Sequence, residues 1–161
     1  MTSIEIHRAG PELFGELAAV AASAQTLFAG AGIELPDDDA TGTLAHAAVV
    51  LAAGRPPVGF AALTVLDGCA HLEEISVHAG HGRRGVGTAL LDAVCAHARE
   101  AGSPAVTLTT FRDVPFNAPY YAARGWRVWP EREWGPGMRA QWAAEAPIRV
   151  APRVAMRKVL P

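Results

Sequence analysis

Lysine is almost missing from this sequence: Lys158 stands alone beside 13 arginines in a set of 14 basic residues. Arginine presents a planar fork to phosphate or carboxylate that lysine lacks. The bias also accompanies an alanine-rich composition and marks no site by itself. Cysteine is scarce too. Cys69 and Cys95 are too few for a disulfide framework or a four-cysteine metal site. Neither sign of charge is in excess, since 14 basic and 16 acidic residues leave −2. That balance excludes the basic surplus of a non-specific nucleic-acid or membrane-surface protein. The longest apolar run, Ala45–Ala53, is broken by His46 and falls far short of the roughly 20 residues that cross a bilayer. Met1–Arg8 lacks the charged start and apolar core of an export signal. The expectation is a cytoplasmic chain with free thiols and neither nucleic acid nor membrane as partner.

What is present reads as one globular domain over residues 1–161, with 50% hydrophobic and 19% charged residues. Ile4–Arg8 alternates as a short strand. Pro11 opens a helix with Leu13, Phe14, Leu17, Ala18, Ala21 and Ala24 on one stripe, ended by Gly30 and Gly32. Glu34–Asp39 is an acidic loop, either a solvated turn and N-cap or a face for a cationic substrate. Thr43–Ala53 mixes helix and strand signals, and its second half reads as strand. Val58–Leu66 and Ala70–His78 follow across turns at Gly54–Pro57 and Asp67-Gly68, so three successive strands should be antiparallel. Gly85–Ala101 is an amphipathic helix and Ala105–Phe111 a β-branched strand, which makes a parallel crossover. Asn117–Arg124 is a short helix, Trp126–Trp129 starts a strand, and Arg149–Val159 closes the chain as another. The Trp-rich stretch between them is an excursion lining an acceptor pocket, a sheet edge or a dimer face. The class is α/β, a mixed, mostly antiparallel sheet of about seven strands with four helices.

Gly80-His81-Gly82-Arg83-Arg84-Gly85-Val86-Gly87-Thr88 joins the fourth strand to the amphipathic helix. Glycines let backbone N–H groups turn toward a ligand, and the helix N-terminus adds about half a positive charge. Arg83 and Arg84 add neutralising charge, so the loop predicts pyrophosphate binding. Gly80-x-Gly82-x-x-Gly85 matches the dinucleotide fingerprint literally, but hairpin-linked strands precede it and the following strand ends Phe111-Arg112-Asp113, too late for the acidic residue and with Arg first. Read as Gly82-x-x-Gly85-x-Gly87, the loop resembles the R/Q-x-x-G-x-G/A signature of the GCN5-related N-acetyltransferases, the GNAT superfamily. Leu72–His78 looks like that family's fourth strand, and Asn117–Trp126 like its N-x-P-F-Y-x-x-x-G-F segment. Gly82 departs from the usual Gln or Arg, which removes one side-chain contact.

The resemblance implies the acyl-CoA N-acyltransferase fold and acetyl-CoA as acyl-donor cosubstrate, with no metal. Its pantetheine would run along Ile75, Ser76 and Val77 and its pyrophosphate would sit on Gly82–Thr88, in a sheet that splays between the fourth and fifth strands. The acceptor would be a small-molecule or peptide amine. Homodimers are common in the family. Attack by an amine requires loss of a proton from an ammonium whose pKa is near 10.4. It also requires a donor to the oxyanion, such as the Val77 N–H, and an acid for the leaving thiolate. The resemblance assigns the base to Glu73, with Glu74 as the second choice. As strand neighbours these should face opposite sides unless a bulge intervenes. His71 is a third candidate, or a solvated side chain near a strand start. Tyr121 is the implied acid, Tyr120 an aromatic packing under the short helix, and Asn117 the cap of that helix, also touching the pantetheine arm. The alternatives are a non-catalytic acyl-CoA-binding regulatory module of the same fold and a nicotinamide dinucleotide binder.

Overall fold

The alternating and β-branched runs of the sequence become Ile6–Arg8 (β1), Val49–Ala53 (β2), Gly59–Leu66 (β3), Cys69–Val77 (β4), Ala105–Phe111 (β5), Arg127–Val128 (β6) and Arg153–Val159 (β7). They form one sheet in the order β1-β2-β3-β4-β5-β7-β6 in a computed structural model that describes residues 3–161. Met1 and Thr2, the start of the Met1–Arg8 stretch read above for an export signal, lie outside the described residues. β1 through β4 pair antiparallel, as the tight turns predict, and β7 runs antiparallel to β5 and β6. Among the described residues only β4 and β5 are parallel, across the predicted helical crossover. The mixed, mostly antiparallel sheet is as expected.

Among the described residues the helices number five, not four: Phe14–Gly30 (α1), Ala40–His46 (α2), Val86–Glu100 (α3), Ala118–Ala122 (α4) and Pro136–Ala144 (α5). The extra one, α5, lies inside the Trp-rich excursion, where two glycines and a proline at its start hide so short a helix from periodicity. Asp67, the first residue of the β3–β4 turn, supplies what α5 lacks locally. Its carboxylate accepts from the Gly137 and Met138 amides at 2.8 and 2.9 Å.

Two apolar layers sandwich the sheet. α3 lays Leu90, Leu91, Val94 and Ala98 on Leu63, Leu72, Val106 and Leu108. On the other face Leu17, Val20 and Ala21 of α1 and Leu44 of α2 cover Val50, Ala52, Phe60 and Ala62. Each such large side chain, removed from water, contributes about 1.5–3 kcal/mol before entropy is charged. By length and composition Pro11–Gly30 would pass for a membrane-crossing helix, yet its Leu17, Val20 and Ala21 are packed into this second layer. The far end of that face is covered by α5, where Met138, Trp129, Trp134 and Trp142 gather on Ala155 and Leu66. Three of the four tryptophans thus pack on that face of the sheet, and Trp126 belongs to the main core.

Two irregularities position the site. β4 and β5 pair only at Ala70–Val106 and His71–Thr107, after which the strands part. Just there β4 carries a β-bulge: Leu72 lies opposite Leu63 and Glu74 opposite Ala62, leaving Glu73 as the extra residue.

Candidate active site

The glycine loop has the backbone geometry that an anion cradle needs. After a short turn at Ala79–His81, Arg83 and Gly85 both adopt positive φ, +60° and +80°, and α3 begins at Val86. Gly85 can hold that conformation without strain, and it tips the following amides outward. The first amide to find an acceptor in the helix is that of Ala89, on the Gly85 carbonyl at 3.0 Å. The Val86, Gly87 and Thr88 amides therefore point out of the helix N-terminus, where a phosphate would meet them. Gly82, Arg83 and Arg84 are exposed at the mouth. His78 accepts from the Gly80 amide through Nδ1 at 3.0 Å, and Ser23 of α1 accepts from Ala79, which ties the loop to the first helix. A side chain at Gly87 would come within 3.3 Å of the Tyr120 hydroxyl.

β4 offers a second set of amides. His78 donates to the Val58 carbonyl at 2.8 Å, so this end of β4 turns every second amide toward β3. The Ile75 and Val77 amides alternate away from β3 and face the gap where β5 has parted. An extended amide-bearing chain such as pantetheine fits an unpaired edge of this kind. Acyl-CoA thus fits the residues present: an open strand edge leads to a ring of helix N-terminal amides.

The bulge corrects the expectation that Glu73 and Glu74 face opposite sides. Ala62, opposite Glu74, packs in the α1–α2 layer, and Glu73 reaches His71 and α5 on that same face. Glu74 is partly buried and its Oε2 accepts from the Ser76 hydroxyl at 3.3 Å. Burial first, then the nearby Asp38 carboxylate, push its pKa up to about 7. Asp38 comes from the acidic loop, so that loop turns one carboxylate toward Glu74, while the next, Asp39, caps α2 on the Gly42 amide. Glu73 is more accessible, and burial raises its pKa against the opposing hydrogen bond from Gln141.

His71 is not a solvated side chain near a strand start. It is 1% exposed, on one of the two β4 positions that pair with β5. Its Nδ1 pairs with the Thr107 hydroxyl at 2.8 Å, and Nε2 faces Glu73 Oε2 at 3.9 Å. Burial depresses its pKa to about 4, so it is neutral at physiological pH. Asn117 also departs from expectation. It precedes α4, but its side chain does not cap that helix; Oδ1 accepts from the Phe111 amide at 3.3 Å, bracing the end of β5. Tyr121 is 6% exposed among core residues, edge-on to Trp126 and Tyr120, and burial raises its pKa. Tyr120, expected only to pack, has its hydroxyl on Thr88 Oγ1 at 2.9 Å and so pins α4 to the anion cradle.

Reading the sequence misses the far wall. Thr109 of β5 donates to Glu145 at 2.7 Å, Gln141 donates to both Glu145 and Glu73, and Arg153 of β7 donates to Thr109 at 3.1 Å. The only signal was Gln141 and Glu145 four residues apart, facing alike on a helix that was itself unforeseen. Among the described residues no group of three or more His, Cys, Asp or Glu is arranged to hold a metal ion.

Comparison with known proteins agrees with this geometry. A staphylococcal GNAT acetyltransferase, from Staphylococcus aureus Mu50, superposes with a TM-score of 0.75 at 18% identity, covering 99% of this chain and 100% of its own. The N-acetylglutamate synthase of Neisseria gonorrhoeae, complexed with coenzyme A and N-acetyl-glutamate, gives 0.74 at 17% identity; the match covers 100% of this chain and 36% of that one. The PaiA N-acetyltransferase of Thermoplasma acidophilum, in complex with coenzyme A, gives 0.69 at 16%, covering 98% and 99%. These likenesses establish the fold. Residues 19–126, which hold the bulged strand, the cradle and the Tyr121 segment, match the family model described as "Acetyltransferase (GNAT) family", and the chain belongs to that family.

Proposed function

We propose that the protein is an acetyl-CoA-dependent N-acetyltransferase acting on a primary amine by direct attack on the thioester. The observation that carries this reading is the meeting of two features on one strand. The free Ile75 and Val77 amides face the gap, and two or three residues upstream the bulge delivers Glu73 and Glu74 to one face. Acetyl-CoA, when bound, supplies an activated acetyl group as a thioester.

The side chains then divide the work. Glu74, titrating near 7, takes the proton of the incoming ammonium directly or through water and passes it to solvent. Glu73, gripped by Gln141, orients the acceptor. This order reverses the one implied by the resemblance, and it rests on tuning: a base works best with its pKa near the working pH. The Val77 N–H meets the negative charge that grows on the carbonyl oxygen. Tyr121, kept protonated by burial, gives its proton to the sulfur as the C–N bond forms and the C–S bond breaks, and solvent restores it. Incubation with acetyl-CoA and an amine panel, following free thiol, tests the whole scheme. Amine-dependent thiol release is expected. No detectable acetyl-CoA binding by calorimetry at millimolar concentration would end it, and binding without turnover across the panel would favour the non-catalytic module.

A further inference from the structure

Arg153 is the least explained charge in the molecule. Its side chain is 8% exposed, stacked 4.5 Å over the Phe111 ring, and its Nε is buried without a hydrogen-bond partner among the described residues. Its side-chain hydrogen bond is Nη2 to Thr109, and its carboxylate neighbour, Glu145, stays at 3.7 Å, outside hydrogen-bond range. A guanidinium taken out of water with most of its donors idle costs stability that one loose ion pair does not return. Arg149 lies close enough to oppose its charge, held by the Trp142 ring at 4.9 Å and the Trp142 carbonyl. Arg149 is only partly buried, but the carboxylate neighbour of Arg153, Glu145, already accepts from Thr109 and Gln141, which leaves room at Arg153 for another anion.

Position says which anion. Gln141 and Glu145 link the two strands across the gap: Gln141 donates to both Glu73 and Glu145, and Thr109 of β5 donates to Glu145. Arg153, paired with Phe111 on β7, therefore stands beyond the gap on the side away from Glu74 and Asp38. The Glu74 and Asp38 carboxylates thus lie on the β4 side of the gap and the Arg153 guanidinium on the β7 side. We infer that the acceptor is an amino-carboxylic acid, its amine received at Glu73 and Glu74 and its carboxylate held by the Arg153 guanidinium with Arg149 behind it.

This inference rests on the acetyltransferase reading, and its test separates the two. Wild-type protein is assayed with acetyl-CoA against α-amino acids, each beside its carboxamide and its decarboxylated amine. The expected result is a kcat/KM for the acids higher by on the order of a hundredfold, since a site built around a charged partner strongly rejects an analogue lacking it. Arg153→Gln should remove that preference by raising KM for the acids, with the small turnover of the carboxamides and the calorimetric Kd for acetyl-CoA unchanged. Equal or better turnover of the carboxamides or decarboxylated amines overturns the inference and leaves the acetyltransferase reading standing. No turnover of any amine overturns both. The wild-type comparison decides the matter even if the variant does not fold.

Discussion

Glu74 and His71 sit three positions apart on one strand and are displaced in opposite thermodynamic directions. Glu74 has a folded-state pKa of about 7 against an ordinary 4.5, so the native protein binds the extra proton between those values. Its stabilising protonation is complete below about pH 4.5 and lost as pH rises through 7. Glu74→Gln should therefore remove a fall in stability on the order of 2 kcal/mol between pH 5 and 8, read from denaturant midpoints. In the same variant kcat should drop by about 10²–10⁴ and the kcat/KM inflection near pH 7 should vanish. An unchanged inflection would remove Glu74 from the base role.

His71 works the other way. Its folded-state pKa is about 4 against 6.5, so its contribution is present above pH 6.5 and lost as pH falls toward 4. His71→Asn, whatever its absolute stability, should lose less stability than wild type over that window. Tyr121→Phe belongs to this scale too. Loss of one buried hydroxyl should lower kcat at least tenfold while calorimetric acetyl-CoA affinity moves little, and an unchanged kcat would remove its role as acid.

At the scale of elements, legibility followed the range of the forces. α3 announces itself through Val86, Leu90, Leu91, Val94 and Ala98 on one stripe, and the β3–β4 turn through Asp67-Gly68, because both are local patterns. The β4 bulge is not local. Nothing in Leu72-Glu73-Glu74-Ile75 marks an extra residue; the register is set when Ala62 and Leu63 find their separate apolar layers. The same holds for α5, whose first turn depends on a carboxylate about 70 residues upstream in sequence. The burial of His71 depends on β5, more than 30 residues downstream, whose Thr107 pairs with it, and the Asn117 side chain turns to the Phe111 amide instead of its own helix. The strand-to-helix position of the glycine loop, by contrast, is legible from local sequence alone. Asp67→Ala should cost about 1–2 kcal/mol, as loss of a helix cap does, and should raise acceptor KM through Gln141 while sparing acetyl-CoA affinity. Thermal unfolding and steady-state kinetics check both halves of that expectation.

At the scale of the molecule, the sheet is one continuous structure up to Ala70–Val106 and His71–Thr107 and two diverging halves beyond. A ligand lying in the gap would join the halves at their least supported end. Saturating acetyl-CoA, at about 100 times its Kd, should raise stability by about 2.7 kcal/mol. Amide protection in hydrogen exchange should then concentrate at Ile75, Val77 and Val86–Thr88. Protection confined instead to β1 and β2 would place the ligand elsewhere. Gly59 shows how closely α3 is held to this frame, since a Cβ there would meet Val86, Leu90 and the Ser76 carbonyl at 3.0–3.1 Å.

On the proposed function, the donor side of the gap is written in main-chain amides, and the acceptor side in the side chains of Glu73, Glu74, Gln141 and Arg153. Point substitution edits side chains and leaves peptide groups in place. A lineage carrying this scaffold can exchange one acceptor for another by changing a few codons on β4, α5 and β7, with its currency of activated acetyl groups untouched. The bulge adds a hinge to that freedom, because one inserted or deleted residue in β4 re-aims a carboxylate without disturbing the amides downstream.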